Sequence, residues 1–203
     1  VTKGELGGSH VQVHVSGVVD NEAESEAEAF RQIRRFLSYM PSNVWELPPY
    51  EPPIDNPNRR EEALLSVVPR QRTRAYDMRQ IIELVFDRDS FFEIKPYHGQ
   101  AVITGFARLN GYVVGVIANN PLHFGGALDG DAADKQTHFV DLCDLFHIPL
   151  VWLVDVPGLM VGSQAERAGI LRRGMRAFIA SFQCTVPMVT VMVRRAYGAA
   201  GNA

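Results

Sequence analysis

The sequence lacks most of what announces a familiar chemistry. Its two cysteines, Cys143 and Cys184, make neither a disulfide framework nor a CxxC pair, a usage that fits a reducing compartment. No GxxxxGK[ST], GxGxxG, HExxH or GxSxG string occurs. P-loop hydrolysis, a dinucleotide fingerprint, zincin chemistry and a nucleophile elbow therefore have no sequence support. The longest apolar runs, Ile148–Val154 and Val186–Val193, fall far short of the ~20 residues that span a bilayer, so membrane insertion is not expected. A net charge of −3 gives no electrostatic reason to expect nucleic acid as a partner. The six histidines are scattered. His10 and His14 would share one face of a strand with no third ligand in view, and no metal site is expected.

What is present is a core-forming composition, 46% hydrophobic and 21% charged over 203 residues, which excludes wholesale disorder. Six of the twelve prolines (Pro41, Pro48, Pro49, Pro52, Pro53 and Pro57) crowd into one short stretch. Each lacks an N–H and restrains its predecessor, so residues 41–60 read as an extended linker at a domain boundary. Before it, the alternation Val11–Val15 predicts a half-buried strand. A helix is expected from about Glu22 to Met40, capped by Asp20 or Asn21, with Ala23, Ala27, Phe30, Ile33 and Leu37 as its buried stripe. After the linker, Asp77 caps a helix through Ile81, Ile82, Leu84 and Val85. Ala101–Ala107 and Tyr112–Ala118 then form a hairpin around Asn110-Gly111.

Next come a helix near Ala132–Phe146, an apolar strand Pro149–Val154 and a long helix from about Gln164 to Phe182. The stripe of that last helix reads Ala168, Leu171, Met175, Phe178, Ile179 and Phe182, and another apolar strand follows at Pro187–Val193. Pro149 and Pro187 head two similar blocks 38 residues apart, about one strand-plus-helix unit. Continuous apolar strands alternating with helices mean an α/β architecture. The pattern allows a doubly wound sheet and does not choose between that and other stacked strand–helix folds.

Two strand-to-loop transitions are dominated by small residues: Asp155-Val156-Pro157-Gly158-Leu159-Met160-Val161-Gly162, and Tyr197-Gly198-Ala199-Ala200-Gly201-Asn202. Glycine and alanine side chains perform no acid–base work, but they let a ligand approach main-chain N–H groups, which suit a developing oxyanion. The same composition also fits a tight strand–helix packing site.

The chain as a whole carries a more specific signal. Val68-Pro69, Tyr76-Asp77-Met78-Arg79, Phe91-Phe92-Glu93, Gly105-Phe106-Ala107-Arg108, Ala118-Asn119-Asn120-Pro121 and Gly126-Ala127-Leu128-Asp129 follow one another in order. Phe139, Cys143-Asp144, Ile148-Pro149-Leu150, Asp155-Val156-Pro157-Gly158, Val186-Pro187 and Ala196-Tyr197-Gly198 continue the series, and Glu5-Leu6-Gly7-Gly8 with Ser16-Gly17-Val18 opens it. In that order and spacing the sequence resembles the β (carboxyltransferase) subunit of biotin-dependent acyl-CoA carboxylases, of the propionyl-, methylcrotonyl- and acetyl-CoA carboxylase type.

The resemblance implies a crotonase-like spiral of strand–strand–helix units, in two halves, incomplete here at both ends. Residues 1–40 would end the acyl-CoA half, 41–60 would be the linker, and 61–203 would be the biotin half. It implies transfer of a carboxyl group from carboxybiotin to the α-carbon of an acyl-CoA thioester, with backbone oxyanion holes in place of a catalytic side chain. By that likeness the amides of Ala199 and Ala200 form the biotin-side hole, Gly198 frees the turn, and Gly158, Met160, Val161, Gly162 and Asn202 line the same cavity. Biotin on a carrier protein and a coenzyme A thioester are the implied ligands. A biotin carboxylase or biotin carboxyl carrier subunit and further copies of the chain are the implied partners, and the cytoplasm (or a mitochondrial matrix) is the implied compartment.

Departures from the family pattern bear on specificity. Gly201-Asn202 is closer to methylcrotonyl-type enzymes, whereas Asp155-Val156-Pro157-Gly158 looks like the propionyl/acetyl type. Gln12 stands where the family usually has His, so neither His10 nor His14 inherits a role. The first-half oxyanion hole and most of the CoA surface would lie upstream of Val1, so 203 residues alone are not expected to catalyse the reaction. A decarboxylase of the same family, and a catalytically incomplete assembly subunit, are the alternative readings.

Overall fold

The computed structural model describes residues 1–56 and 58–198. Its helices are α1 (Lys3–Gly7), α2 (Glu26–Leu37), α3 (Leu64–Val67), α4 (Met78–Val85), α5 (Gly130–Leu145), α6 (Ser163–Arg167) and α7 (Ile170–Gln183). Its strands are β1 (Phe92–Ile94), β2 (Val102–Leu109), β3 (Tyr112–Asn119), β4 (Leu150–Val156) and β5 (Met188–Ala196). The strands form a mixed sheet in chain order: β1, β2 and β3 run antiparallel, and β3, β4 and β5 run parallel. A two-residue turn at Asn110-Gly111, with φ of 51° and 82°, joins β2 to β3 in the hairpin expected from the sequence. Asp87 fixes that turn by accepting from the Asn110 and Gly111 amides at 2.9 and 2.7 Å.

Side-chain alternation along β2 sends Val102 and Phe106 to one face of the sheet and Ile103 and Ala107 to the other. On the first face Phe106 packs against Phe139 of α5, and Ala177 and Ala180 of α7 join the same cluster. On the second, Met78, Ile81 and Ile82 of α4 cover Val114, Val116 and Leu153. Strands β2–β4 are thus covered by helices on both faces, whereas the edge strand β5 leaves Met188, Val189, Val191 and Met192 exposed. The 38-residue offset between the two Pro-headed blocks is the pairing register itself: Leu150 sits opposite Met188, and Val151 opposite Val189.

Three local expectations are corrected. Val11–Val15 is a π-helical turn, not a strand: the Ser16 amide closes on Val11 O at 2.8 Å and only Val13 is buried. With its amides bonded inside the segment, the alternation has no ladder to join. His10 and His14 therefore meet as a tilted pair, and His14 stacks on Tyr97 and is bonded to Glu22 at 2.7 Å.

Helix α2 starts at Ser25, whose Oγ accepts from the Glu28 amide, because Asp20 and Asn21 are committed elsewhere. Asp20 pairs with Lys95 at 2.8 Å, and Asn21 bridges Glu93 O and the Lys95 amide. The expected stripe Ala23, Ala27, Phe30, Ile33 and Leu37 is exposed, and the helix end meets the core through Phe36, Tyr39 and Met40 instead.

The long helix is two, broken at Gly169 (φ 76°). Leu171, Met175, Ile179 and Phe182 point outward, while Ile170, Gly174, Ala177, Phe178, Ala180 and Ser181 are buried. Small residues (Gly174, Ala177, Ala180 and Ser181) supply most of the buried face, which Ile170 and Phe178 complete.

Candidate active site

Parallel pairing brings the C-terminal ends of β4 and β5 side by side, with Val156 opposite Ala196 and the Tyr197 amide donating to Val156 O at 3.0 Å. The two small-residue turns therefore emerge together. Gly158 (φ 129°) and Gly198 (φ 65°) are neighbours: a Cβ on Gly198 would lie in ordinary contact, 3.9 Å from Gly158 Cα. A Cβ on Gly158 would lie 3.6 Å from Tyr197 O. Both backbones occupy the region that L side chains rarely adopt, which explains why glycine stands at each. The Gly158 carbonyl accepts from the Leu128 amide and the Met160 amide donates to Leu128 O, so a short bridge between Leu128 and Leu159 anchors the first turn.

Of the residues expected here, Gly158 and Gly198 are brought together and Met160 lies two residues along, half-buried. Val161 is exposed, and Gly162 (φ 129°) opens the five-residue α6. Ala199, Ala200 and Asn202, which carry the expected oxyanion hole, lie outside the described residues.

Behind the two turns sits a polar cluster that sequence reasoning missed. Asp155, the acid of β4, is fully buried. Its Oδ1 accepts from Arg195 Nε at 2.7 Å, and its Oδ2 from Arg194 Nε and from the Tyr76 hydroxyl, both at 3.0 Å. The Asp155 amide donates to Asn119 Oδ1 at 3.0 Å, so the end of β3 joins the cluster. Arg194 lies over the Tyr76 ring, 4.8 Å from its centroid, and donates to Arg74 O at 2.9 Å. Arg195 reaches Gly125 O at 2.6 Å, and a Cβ on the neighbouring Gly126 would fall 2.5 Å from Asp155 O. Burial first, then the adjacent Asp155 carboxylate, raises the Tyr76 phenol well above its ordinary range, so it remains a hydrogen-bond donor. The available signal was a lone acid in an apolar strand facing two arginines near the same end of the next parallel one.

Among the described residues no group of three or more His, Cys, Asp or Glu is arranged to hold a metal ion. None of the helices there is long and apolar enough to cross a membrane. Gly158 and Gly198 leave both turns without a side chain, which lets a ligand approach the main chain there.

The model of the carboxyl transferase domain matches residues 1–203. The chain is 42% identical to the propionyl-CoA carboxylase beta chain of Roseobacter denitrificans, over 98% of this chain and 39% of that protein. It is 41% identical to the methylmalonyl-CoA decarboxylase subunit alpha of Veillonella parvula, again over 98% of this chain and 39% of that protein. Its fold superimposes on transcarboxylase 12S, a hexamer solved with methylmalonyl-coenzyme A and methylmalonic acid bound, with a TM-score of 0.96 and 38% identity. That match covers 100% of this chain and 39% of the other, so the chain spans about two fifths of the length of the relatives it matches.

Proposed function

The chain belongs to the carboxyl transferase domain family, and from that premise we propose that it is the biotin-facing part of an enzyme that moves a carboxyl group from biotin to the α-carbon of an acyl-CoA thioester. In this reading residues 1–40 close the acyl-CoA half, 41–60 link the halves, and 61–203 form the biotin half. Carboxybiotin, carried on a partner protein, would supply the carboxyl group: its N1–carboxyl bond would break as the bond to the α-carbon forms, the α-proton would pass to N1, and negative charge would develop on the ureido oxygen. The chain's own part is to hold that oxygen. The amides of Ala199 and Ala200 donate to it, Gly198 sets the turn that aims them, and Gly158 leaves the opposite wall without a side chain. Met160, Val161, Gly162 and Asn202 border the same space.

The observation that carries the reading is the abutment of Gly158 and Gly198 at the parallel ends of β4 and β5. It supports the reading by leaving the main chain approachable and the floor of the site free of side chains. A decarboxylase would use the same biotin-side site, and the Veillonella relative favours keeping that second reading. The partners proposed are a biotin carboxylase or carrier subunit and further copies of the same chain.

The test is to express the complete polypeptide with a biotinylated carrier and follow carboxyl transfer across a panel of acyl-CoA thioesters. Transfer to at least one short-chain acyl-CoA is the expected outcome. Release of CO2 from carboxylated thioesters with no forward transfer would select the decarboxylase. Neither activity would reject both enzymatic readings.

A further inference from the structure

Regular β-strands send neighbouring side chains to opposite faces, so two consecutive residues cannot ordinarily reach one carboxylate. Arg194 and Arg195 do, because β5 is irregular at this point. Val154 pairs with Met192 but Val156 pairs with Ala196, leaving Asp155 alone opposite Val193, Arg194 and Arg195. Bulges of this kind re-aim side chains and bend the strand that carries them. Here the bend falls immediately before Ala196-Tyr197-Gly198, and its two guanidinium groups converge on the buried Asp155. The carboxylate lies three residues before Gly158 on the other turn, so one side chain bridges the roots of both.

We propose that Asp155 is a positioning residue for the carboxyl transfer assigned above: by clamping the bulged arginines it fixes the spacing and tilt of the Gly158 and Gly198 turns. The proposal rests on that assignment. Asp155 touches no reacting atom, and it acts through the main chain of β4 and β5. The further contacts brace the clamp from outside the two strands. From the segment before α4, Tyr76 donates to Asp155 and sets its ring under Arg194, and Arg74 O accepts from Arg194, while Gly125 O accepts from Arg195 in the loop after β3. Displacement of a catalytic donor by about 1 Å can cost on the order of 100-fold in rate, so loss of the clamp is expected to appear in turnover before it appears in affinity.

The experiment uses the complete polypeptide in its native oligomer with the biotinylated carrier. Asp155→Asn, Arg195→Lys and Tyr76→Phe are compared for kcat, for KM of the acyl-CoA and of the carrier, and for oligomer content and melting temperature. Asp155→Asn is expected to lower kcat on the order of 100-fold with the acyl-CoA KM within about threefold. Tyr76→Phe, which removes one hydroxyl, should lower kcat by a few-fold while remaining folded. Arg195→Lys keeps its charge near Asp155 and should retain more turnover than Arg195→Gln.

If Asp155→Asn fails to assemble, Tyr76→Phe and the Arg195 pair decide. Turnover within twofold of wild type in Tyr76→Phe and Arg195→Gln overturns the proposal. So does a kcat that falls only in proportion to the loss of folded oligomer. A wild-type protein that transfers no carboxyl group overturns the assigned function and this proposal with it, whereas an active wild type with unaffected variants overturns this proposal alone.

Discussion

Lys135 spends its charge inside the protein. It sits on the buried face of α5 and donates from Nζ to Val102 O at 2.7 Å, and burial drives its pKa down to about 7 from 10.5. The unfolded chain therefore binds a proton between about pH 7 and 10.5 that the folded chain does not, and over that window stability rises with pH. Below about pH 7 both states are charged and the contribution is flat. Lys135→Met should abolish the rise, which denaturant midpoints measured at about pH 7 and about pH 9.5 would reveal. Equal slopes in the two proteins would show that Lys135 is not the group responsible. Nothing in the sequence marked this lysine as buried, because its neighbours Asp131, Asp134 and His138 give that stretch of helix a polar look. At the same scale, the glycines of the site were legible, since left-handed turns leave a compositional trace. Asp155 was not, because Tyr76 and Arg194 stand 79 and 39 residues away from it in the chain.

Among the elements, those defined by local chemistry were readable: the Asn110-Gly111 hairpin, α4 behind its Asp77 cap, and β4 and β5 in their 38-residue register. Those defined by what they pack against were not. Helix α7 presents Gly174, Ala177, Phe178 and Ser181 inward and carries Leu171, Met175, Ile179 and Phe182 on the outside, so of the large residues in the expected stripe only Phe178 is buried. Ala177 is 0% exposed in the core cluster that joins α7 to α5 and the sheet, and Arg173 ties the two helices by binding Asp131 and Asp134 at 2.5 and 2.8 Å. Ala177→Leu should therefore destabilise the protein by about 1–3 kcal/mol through overpacking, despite its better match to an apolar stripe. A melting temperature unchanged by Ala177→Leu would contradict the assigned packing. The π-helical turn at Val11–Val15 makes the same point for strands, since alternation of five residues specifies no partner.

At the scale of the molecule, the sheet works as a ruler for the site. Antiparallel β1–β3 supply the rigid half, and parallel β4 and β5 deliver two glycine turns to one end, where open α/β sheets bind their ligands. The family and the α/β fold could be read from the order of motifs along the chain. The convergence of the two turns was implied by the family resemblance alone, because it depends on parallel pairing that no single motif encodes. The central claim is that main-chain amides in the second turn steady the ureido oxygen of biotin while the acyl-CoA is held elsewhere. The most direct test introduces Ala199→Val and Ala200→Val separately into the complete polypeptide and measures turnover alongside acyl-CoA binding. The account predicts turnover lower on the order of 100-fold with acyl-CoA Kd within about twofold. Unchanged turnover, or acyl-CoA binding lost in step with it, would contradict the account.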